Sequence, residues 1–115
     1  MALAGFAELA ELLTAAGDLS GISAAYLEFA RSRPATYEAM FSMPTDLEFA
    51  RPTTPEALRA GFAPLLAIMG DETRAEVLWS ALHGLADLSR HGRLRPDHES
   101  ARAEALIALL DQPAR

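Results

Sequence analysis

Cysteine is absent from this 115-residue chain, and that absence removes several kinds of chemistry at once. Without thiols there is no disulfide, no thiol nucleophile and no cysteine-bound metal, which fits a reducing compartment. Long hydrophobic runs are missing too, since none approaches the ~18 residues that a membrane span requires. Residues 1–13 carry Glu8 and Glu11 but no basic residue, so they do not predict a signal peptide. We therefore expect a cytoplasmic protein with no membrane partner.

Positive charge is also scarce, and lysine is missing altogether: the ten cations are arginines against 16 acidic residues, for a net charge of −6. An acidic chain is poorly suited to gripping a phosphate backbone by itself. Half of the residues are hydrophobic, and a chain of this length can bury a core without metal or disulfide staples. We expect one domain over residues 1–115.

Few residues favour strands, because valine, isoleucine and threonine are scarce and helix formers dominate throughout. The pattern predicts an all-α domain of about six helices. Pro34 suits a first helical turn, and Gly70 followed by Asp71 predicts a C-cap and then an N-cap within an antiparallel helix pair. Asp97 is the predicted N-cap of the last helix, and Pro64 predicts a kink in the fourth. The predicted helices cover residues 2–16, 19–32, 34–42, 55–69, 71–92 and 98–111, with an irregular segment at 43–53 that is long enough to be functional or mobile.

The fifth predicted helix has more apolar surface than one core can cover. At about 100° per residue, its apolar positions from Ala75 to Leu88 span an arc of roughly 200°, about twice the width that one neighbour requires. The sixth helix is apolar nearly all round. We therefore predict a homodimer, with the last two helices of each chain forming a four-helix bundle. The predicted interface consists of Leu78, Leu82, Leu85, Ala86, Leu106, Leu109 and Leu110.

Aromatic residues and methionines gather on the inward faces of the second to fifth helices. A plain hydrophobic core explains them, and so does a cavity for a ligand, because methionine and aromatic side chains adapt to irregular space. Tyr26, Tyr37 and His83 would give such an apolar pocket a few polar groups. The predicted pocket residues are Tyr26, Phe29, Tyr37, Met40, Phe41, Phe62, Leu66, Met69, Trp79 and His83.

Catalytic and metal sites have little support in the sequence. Ser80, His83 and Asp87 share one side of the fifth helix, but a regular helix does not expose a serine nucleophile and supplies no oxyanion hole. No histidine pair has the i, i+4 spacing of a helical zinc site. The basic residues within 90–95 could bind an anion, although cations at a helix C-terminus more often satisfy carbonyls and the dipole. We expect no enzyme, no cofactor and no metal.

Two stretches carry a resemblance to a known family. Residues 79–86 (WSALHGLA), followed by Leu88 and by residues 92–94 (GRL), resemble the Trp-His-Gly region of TetR/AcrR-type transcriptional regulators. Residues 25–30 (AYLEFA) and 33–41 (RPATYEAMF) are similar to the Ala-Tyr-x-x-Phe-Ala and Tyr-x-x-Met-Phe blocks of the same carboxy-terminal domains. Both blocks occur in the family's order and spacing, and the resemblance covers about residues 20–110.

The resemblance implies a helical domain that dimerises through its last two long helices and holds a small hydrophobic or amphipathic effector between the others. Family repressors join this domain to an amino-terminal helix-turn-helix, which residues 1–115 do not include. We expect this chain to be the effector domain cut from such a regulator, or a natural headless relative, and in either case not to read DNA by itself. The alternatives are a stand-alone helical module that binds a small molecule or a protein, and an enzyme built around His83.

Overall fold

The computed structural model describes residues 2–41 and 56–111, and these form six α-helices and one short 3-10 helix, as the prediction of an all-α domain required. The predicted segment 43–53 and the predicted helix start at residues 54–55 lie outside the described residues. The helices are α1 (Ala2–Ala16), α2 (Leu19–Ser32), α3 (Pro34–Phe41), α4 (Glu56–Met69), α5 (Glu72–Arg90) and α6 (Glu99–Leu110), with the 3-10 helix at Pro96–His98.

Glycine–aspartate pairs separate consecutive helices at two points. Gly17 and Gly70 have φ angles of +79° and +86°, a left-handed conformation that glycine adopts without steric cost. The aspartate that follows each glycine caps the next helix: Asp18 accepts a hydrogen bond from the N–H of Gly21 at 2.7 Å, and Asp71 accepts one from Arg74 at 2.8 Å. The predicted boundaries at both places are confirmed.

Asp97 does not cap the last helix, so that prediction was wrong. Pro96 opens a 3-10 turn, and Asp97 lies inside it rather than one residue before α6. The Asp97 carboxylate lies 3.1 Å from Nδ1 of His98, and His98 occupies the N-cap position of α6 without a capping hydrogen bond. The proline displaced the helix start by about one residue, which was enough to move the carboxylate away from the backbone amides.

Helix α1 lies at the centre of the packing and contacts α4 most extensively, then α2 and α3. Phe6, Leu9, Ala10 and Leu13 form its inward stripe and are all buried. α1 and α3 approach closely because residue 5 is glycine: a Cβ there would lie 2.7 Å from Sδ of Met40. Helix α4 runs from Glu56 to Met69 through Pro64, and no helix of the described part of the chain is long and apolar enough to span a membrane.

The apolar arc of α5 divides between the chain's own core and the outside. Leu78 and Leu82 are completely buried and Ala86 nearly so, so their predicted place at a partner interface is corrected: the chain's own core already covers them. Val77 and Leu88 lie on the opposite edge of the arc, 51% and 45% exposed. Leu85, between the two edges, is half-buried.

Helix α6 packs chiefly against α2. The interface prediction had instead assumed that α6 lies alongside α5. Leu106 faces inward and is 9% exposed, whereas Leu109 faces outward and is 75% exposed. Leu110 is half-buried, and its carbonyl accepts a hydrogen bond from Nη2 of Arg74 at 3.0 Å, which ties the end of α6 to the start of α5. Leu109 therefore stays in the predicted interface, and Leu106 belongs to the core.

Candidate functional site

A chain of hydrogen bonds joins four side chains from α2, α3 and α5. The indole Nε1 of Trp79 donates to Oη of Tyr26 at 3.2 Å, Oη of Tyr26 lies 2.7 Å from Oη of Tyr37, and Oη of Tyr37 lies 2.7 Å from Nδ1 of His83. We call these four residues the hydrogen-bond relay. It brings together residues far apart in the sequence, and both tyrosines are 99% buried, with 1% of their surface exposed.

Only one direction of hydrogen-bond donation along the relay gives every polar group in it a partner. An indole N–H is a donor only. The hydroxyl of Tyr26 must therefore accept the hydrogen bond from Trp79 and donate its own hydrogen bond to Tyr37. Tyr37 then donates to His83. Nδ1 of His83 must be the unprotonated nitrogen of a neutral ring, with its hydrogen on Nε2. Protonation at Nδ1 would reverse the last bonds and leave the hydroxyl hydrogen of Tyr26 without an acceptor in the relay.

Burial favours the neutral form of each titratable group in the relay. It raises the pKa of Tyr26 to about 12, against a smaller lowering by the hydrogen bonds with Tyr37 and Trp79. Burial also raises the pKa of Tyr37 well above its usual value, and the neighbouring Tyr26 and the Asp87 carboxylate add to that rise. Burial lowers the pKa of His83, and this lowering is larger than the rise caused by the Asp87 carboxylate. The relay is therefore an uncharged network at neutral pH.

Phe41 is the aromatic residue that fills the space between the relay and α1. Its ring centre lies 4.8 Å from those of Tyr37 and His83, 6.0 Å from that of Trp79 and 5.3 Å from that of Phe6. Phe62 of α4 contacts the other side of Trp79, with ring centres 6.0 Å apart. We use the name aromatic cluster for the relay together with Phe6, Phe41 and Phe62.

The cavity within the aromatic cluster is nearly closed. It has a volume of about 10 Å³, which is room for about one water molecule. Its walls come from α1, α2, α4 and α5, and the residues are Phe6, Leu9, Tyr26, Gly61, Phe62, Leu65 and Trp79. A small-molecule site usually encloses several hundred Å³, so a ligand can enter only if these helices separate.

The predicted pocket residues therefore fall into two groups. Six of the ten meet in the aromatic cluster: Tyr26, Tyr37, Phe41, Phe62, Trp79 and His83. Phe29, Met40 and Leu66 belong to the surrounding core or its edge and do not line the cavity. Met69 lies elsewhere, in a groove that it shares with Leu19 and Ile107.

Phe6 is a member of the aromatic cluster that the sequence reasoning missed. Its helical spacing with Leu9 and Leu13 predicts only a core residue of α1, and nothing else in the sequence indicates a place in the site. In the structure Phe6 lines the central cavity and contacts Phe41. The resemblance to the family began near residue 20 and did not include it, so no motif pointed to its role.

The side chains considered for catalysis are engaged in other contacts. The hydroxyl of Ser80 donates to the carbonyl of Glu76 at 2.8 Å, as exposed helical serines often do, and Nδ1 of His83 is bonded to Tyr37. Among residues 2–41 and 56–111, no group of three or more histidine and carboxylate side chains is placed to hold a metal ion. In the basic segment, His91 contacts the carbonyl of Asp87 at the end of α5, which is an ordinary helix-end interaction.

One comparison with known proteins identifies the domain. Residues 19–112 match the family model described as Tetracyclin repressor-like, C-terminal domain. No match was found among curated proteins or among solved structures. The matched residues include α2 to α6 and so contain the whole hydrogen-bond relay. Since the match takes in well over half of the sequence and agrees with the all-helical fold, the chain belongs to the family of tetracyclin repressor-like C-terminal domains.

Proposed function

We propose that this domain is the effector-sensing and dimerisation part of a TetR-type transcriptional regulator in the bacterial cytoplasm. Its effector would be a small hydrophobic or amphipathic molecule that enters the aromatic cluster. The observation that supports this role is the hydrogen-bond relay, which places four polar groups inside an otherwise apolar space between α2, α3 and α5. A few placed polar groups in an apolar surround are what a specific small-molecule site requires.

The closed cavity fits a switch better than a permanent pocket. With room for about one water molecule, the cavity would have to enlarge before an effector could enter. An effector would replace bonds of the relay and separate α3 and α4 from α5. A ligand that binds only the opened arrangement shifts the population toward it by its difference in affinity for the two states.

Helix α1 is the element through which such an opening would reach the rest of a regulator. Phe6 of α1 lines the cavity and contacts Phe41 of α3, and α1 packs more extensively against α4 than against any other helix. Movement of α3 or α4 would therefore displace α1. We propose that α1 passes the change to a DNA-binding helix-turn-helix outside these 115 residues.

Dimerisation would use the outward edges of α5 and α6. On α5, Val77, Ala81, Leu85 and Leu88 follow the i, i+4, i+8, i+11 spacing of one helical face. We call this set the outer α5 stripe. Gly84 lies beside it, and a Cβ at residue 84 would meet nothing within 4 Å in the chain itself. A glycine in a helix interior lowers the stability of the helix by up to about 1 kcal/mol relative to alanine. A partner helix that packs closely against residue 84 would account for a glycine at this position.

On α6, the outward positions are Ala101, Ala105 and Leu109, and Leu109 is 75% exposed. Alanines on an exposed helix face let a second helix approach closely, while Leu109 supplies a large apolar contact. These residues replace the buried leucines of the original interface prediction. The homodimer proposed here therefore uses the same two helices through different side chains.

The single tryptophan gives a direct test of effector binding. A thermal-shift screen of small apolar compounds carrying one or two polar groups should find compounds that raise the melting temperature and also change the emission of Trp79. Tyr37→Phe should weaken a true effector, because it removes the central hydroxyl of the relay. The control is Leu12→Ala, at an exposed position of α1 that is 43% accessible, which should leave the affinity unchanged.

A screen in which no compound alters Trp79 emission would count against an effector site. It would favour the second candidate, a stand-alone helical module that binds a protein partner through the outer α5 stripe. The coding sequence that precedes these residues in the genome separates the two candidates independently. An in-frame helix-turn-helix supports the regulator, and its absence supports the stand-alone module.

A further inference from the structure

A second and larger recess lies at the other end of α5, where α2, α5 and α6 meet. It has a volume of about 430 Å³, within the range of small-molecule sites. None of the aromatic cluster lines it. We call it the arginine groove, and its walls are formed by Leu27, Ala30, Arg31, Pro34, Ala86, Ser89, Arg90, Gly92, Leu94, Pro96, Glu99 and Arg102.

Arg90 has an unusual position in this groove. One terminal nitrogen, Nη2, lies 3.0 Å from the Asp87 carboxylate, and Nη1 lies 3.8 Å from that of Glu38. Its Nε is buried and has no hydrogen-bond partner among the described residues. A buried donor without an acceptor is unfavourable and uncommon in folded proteins. An acceptor oxygen from the groove would remove that deficit once a shift of the Arg90 side chain brought Nε within its reach.

Arg102 offers further donors from α6. A guanidinium has five N–H groups, and the hydrogen bond of Arg102 in the structure uses Nη1, which donates to the carbonyl of Arg95 at 2.8 Å. Arg31, by contrast, is engaged with Glu28 through both Nε and Nη2. Glu99 is the one carboxylate of the groove wall. Carboxylates beside the groove already pair with two of its arginines, Glu28 with Arg31 and Asp87 and Glu38 with Arg90. The donor that still lacks an acceptor is therefore Nε of Arg90.

Apart from the hydroxyl of Ser89, the remaining side chains of the wall are apolar. Leu27 and Ala30 come from α2, Pro34 from the start of α3, and Leu94 and Pro96 from the connection between α5 and α6. A ligand that only carried charge would leave this surface in contact with water, and a purely apolar ligand would leave Nε of Arg90 without an acceptor. The groove matches a molecule that combines both parts.

We propose that the arginine groove binds a small amphiphilic carboxylate, with the carboxylate on Arg90 and Arg102 and the apolar body against Leu27 and Leu94. Arginine pairs with carboxylates through charge-assisted hydrogen bonds, which are stronger than neutral ones. The site is separate from the aromatic cluster and does not depend on the effector role proposed for it. Because its walls belong to α2, α5 and α6, an occupant would join the C-terminal ends of α2 and α5 to the start of α6.

The test uses three probes and amide chemical shifts of the 15N-labelled chain. Octanoate carries both features, 1-octanol has the same apolar body without the charge, and acetate has the charge without the body. We expect octanoate to shift the amides of residues 27–34, 86–96 and 99–102 in a saturable manner, 1-octanol to bind more weakly and acetate not to saturate. The indole N–H signal of Trp79 should stay in place.

Substitutions then separate the groove from general electrostatic attraction. Arg90→Gln should weaken octanoate binding roughly tenfold, the scale of one charge-assisted hydrogen bond, and leave 1-octanol unaffected. Arg93→Gln is the matched control, because Arg93 is a neighbouring exposed arginine outside the groove. If Arg90→Gln fails to fold, Arg102→Gln takes its place, since the hydrogen bond of Arg102 is to a backbone carbonyl on the surface.

Three outcomes would overturn the proposal: an equal loss of octanoate affinity in Arg93→Gln and Arg90→Gln, octanoate shifts centred on the aromatic cluster, or shifts that never saturate. None of them bears on the effector site, which is read from Trp79 emission. Failure of the effector proposal would likewise leave the groove untouched.

Discussion

Oη of Tyr37 lies 2.7 Å from Nδ1 of His83, so a single hydrogen bond joins α3 to α5 between residues 46 positions apart in the sequence. Tyr37 is 99% buried and bonds Tyr26 on its other side. Its hydroxyl therefore occupies the middle of the relay, where it accepts one hydrogen bond and donates another. The first two predictions concern this residue pair.

Replacing Tyr37 by phenylalanine should destabilise the domain by about 1–3 kcal/mol, because it takes one hydrogen-bond partner from each of two groups in the interior. Those groups are the hydroxyl of Tyr26 and Nδ1 of His83. Urea denaturation measures the change in the free energy of unfolding. Adding Tyr26→Phe to Tyr37→Phe should cost less than the sum of the single changes, since the two tyrosines share one network. Strictly additive losses would mean that the relay does not act as a unit.

The folded state should lose stability as the pH falls below the ordinary pKa of histidine, ~6.5. Burial lowers the pKa of His83 in the folded protein, so the unfolded chain takes up the proton first. The unfolded state then binds more protons, and the free energy of unfolding falls as the pH falls through that window. Melting curves between pH 8 and pH 5 measure the effect.

His83→Asn is the matched variant for this pH experiment. The asparagine Oδ1 offers an acceptor close to the position of Nδ1 but does not titrate. Its melting temperature should depend less on pH over the same range than that of the wild type. An unchanged pH dependence in His83→Asn would show that another group, and not His83, causes the loss of stability.

Gly5→Ala should destabilise the domain by about 1–3 kcal/mol, the usual cost of forcing an extra methyl into a packed interior. The added Cβ would lie 2.7 Å from Sδ of Met40 and 2.8 Å from Cγ2 of Thr36, closer than real contacts allow. Thermal or urea denaturation measures the loss. Gly61→Ala in α4 is the control, because its Cβ would meet Phe6 at an ordinary 3.6 Å. That control should be neutral or stabilising by up to about 1 kcal/mol.

Arginine on the outer α5 stripe should weaken the proposed dimer without unfolding the monomer. Val77→Arg and Leu88→Arg change side chains that are 51% and 45% exposed in one chain. Sedimentation velocity over a range of concentrations should show a shift toward monomer of at least tenfold in the dissociation constant, the scale of a ~1.4 kcal/mol loss at the interface. Leu12→Arg, 43% exposed on α1, is the control and should dimerise normally. A wild type that is monomeric at every concentration would remove the dimer proposal.

Sequence reasoning located the helices well, because the features that end them are local. A glycine at positive φ followed by a capping aspartate, as at residues 17–18 and 70–71, acts within a few residues and can be read from the chain alone. Asp97 shows the limit of that reasoning. Whether its carboxylate caps α6 depended on a one-residue difference set by the preceding proline turn.

The candidate site was predictable in part. Tyr26, Tyr37, Trp79 and His83 were predicted to lie in one pocket, and in the structure they meet, but their order in one relay depends on how α2, α3 and α5 cross. The width of the apolar arc on α5 also came from the sequence. Its division did not, because which edge is covered depends on how α2 and α4 pack against α5. The residual cavity volume is set by the packing of several helices, and no pattern along one helix encodes it.

The direction of the relay places a chemical condition on any molecule that enters it. Trp79 can only give a hydrogen bond, and His83, when neutral at Nδ1, can only receive one from Tyr37. A ligand that breaks the relay at the Trp79 end must therefore offer an oxygen or nitrogen lone pair, such as a ketone or an ether. One that breaks it at the His83 end must bring a hydroxyl or an N–H. The two ends of the aromatic cluster thus select opposite functional groups, so an effector with a carbonyl and a hydroxyl at its two ends would satisfy both in only one orientation.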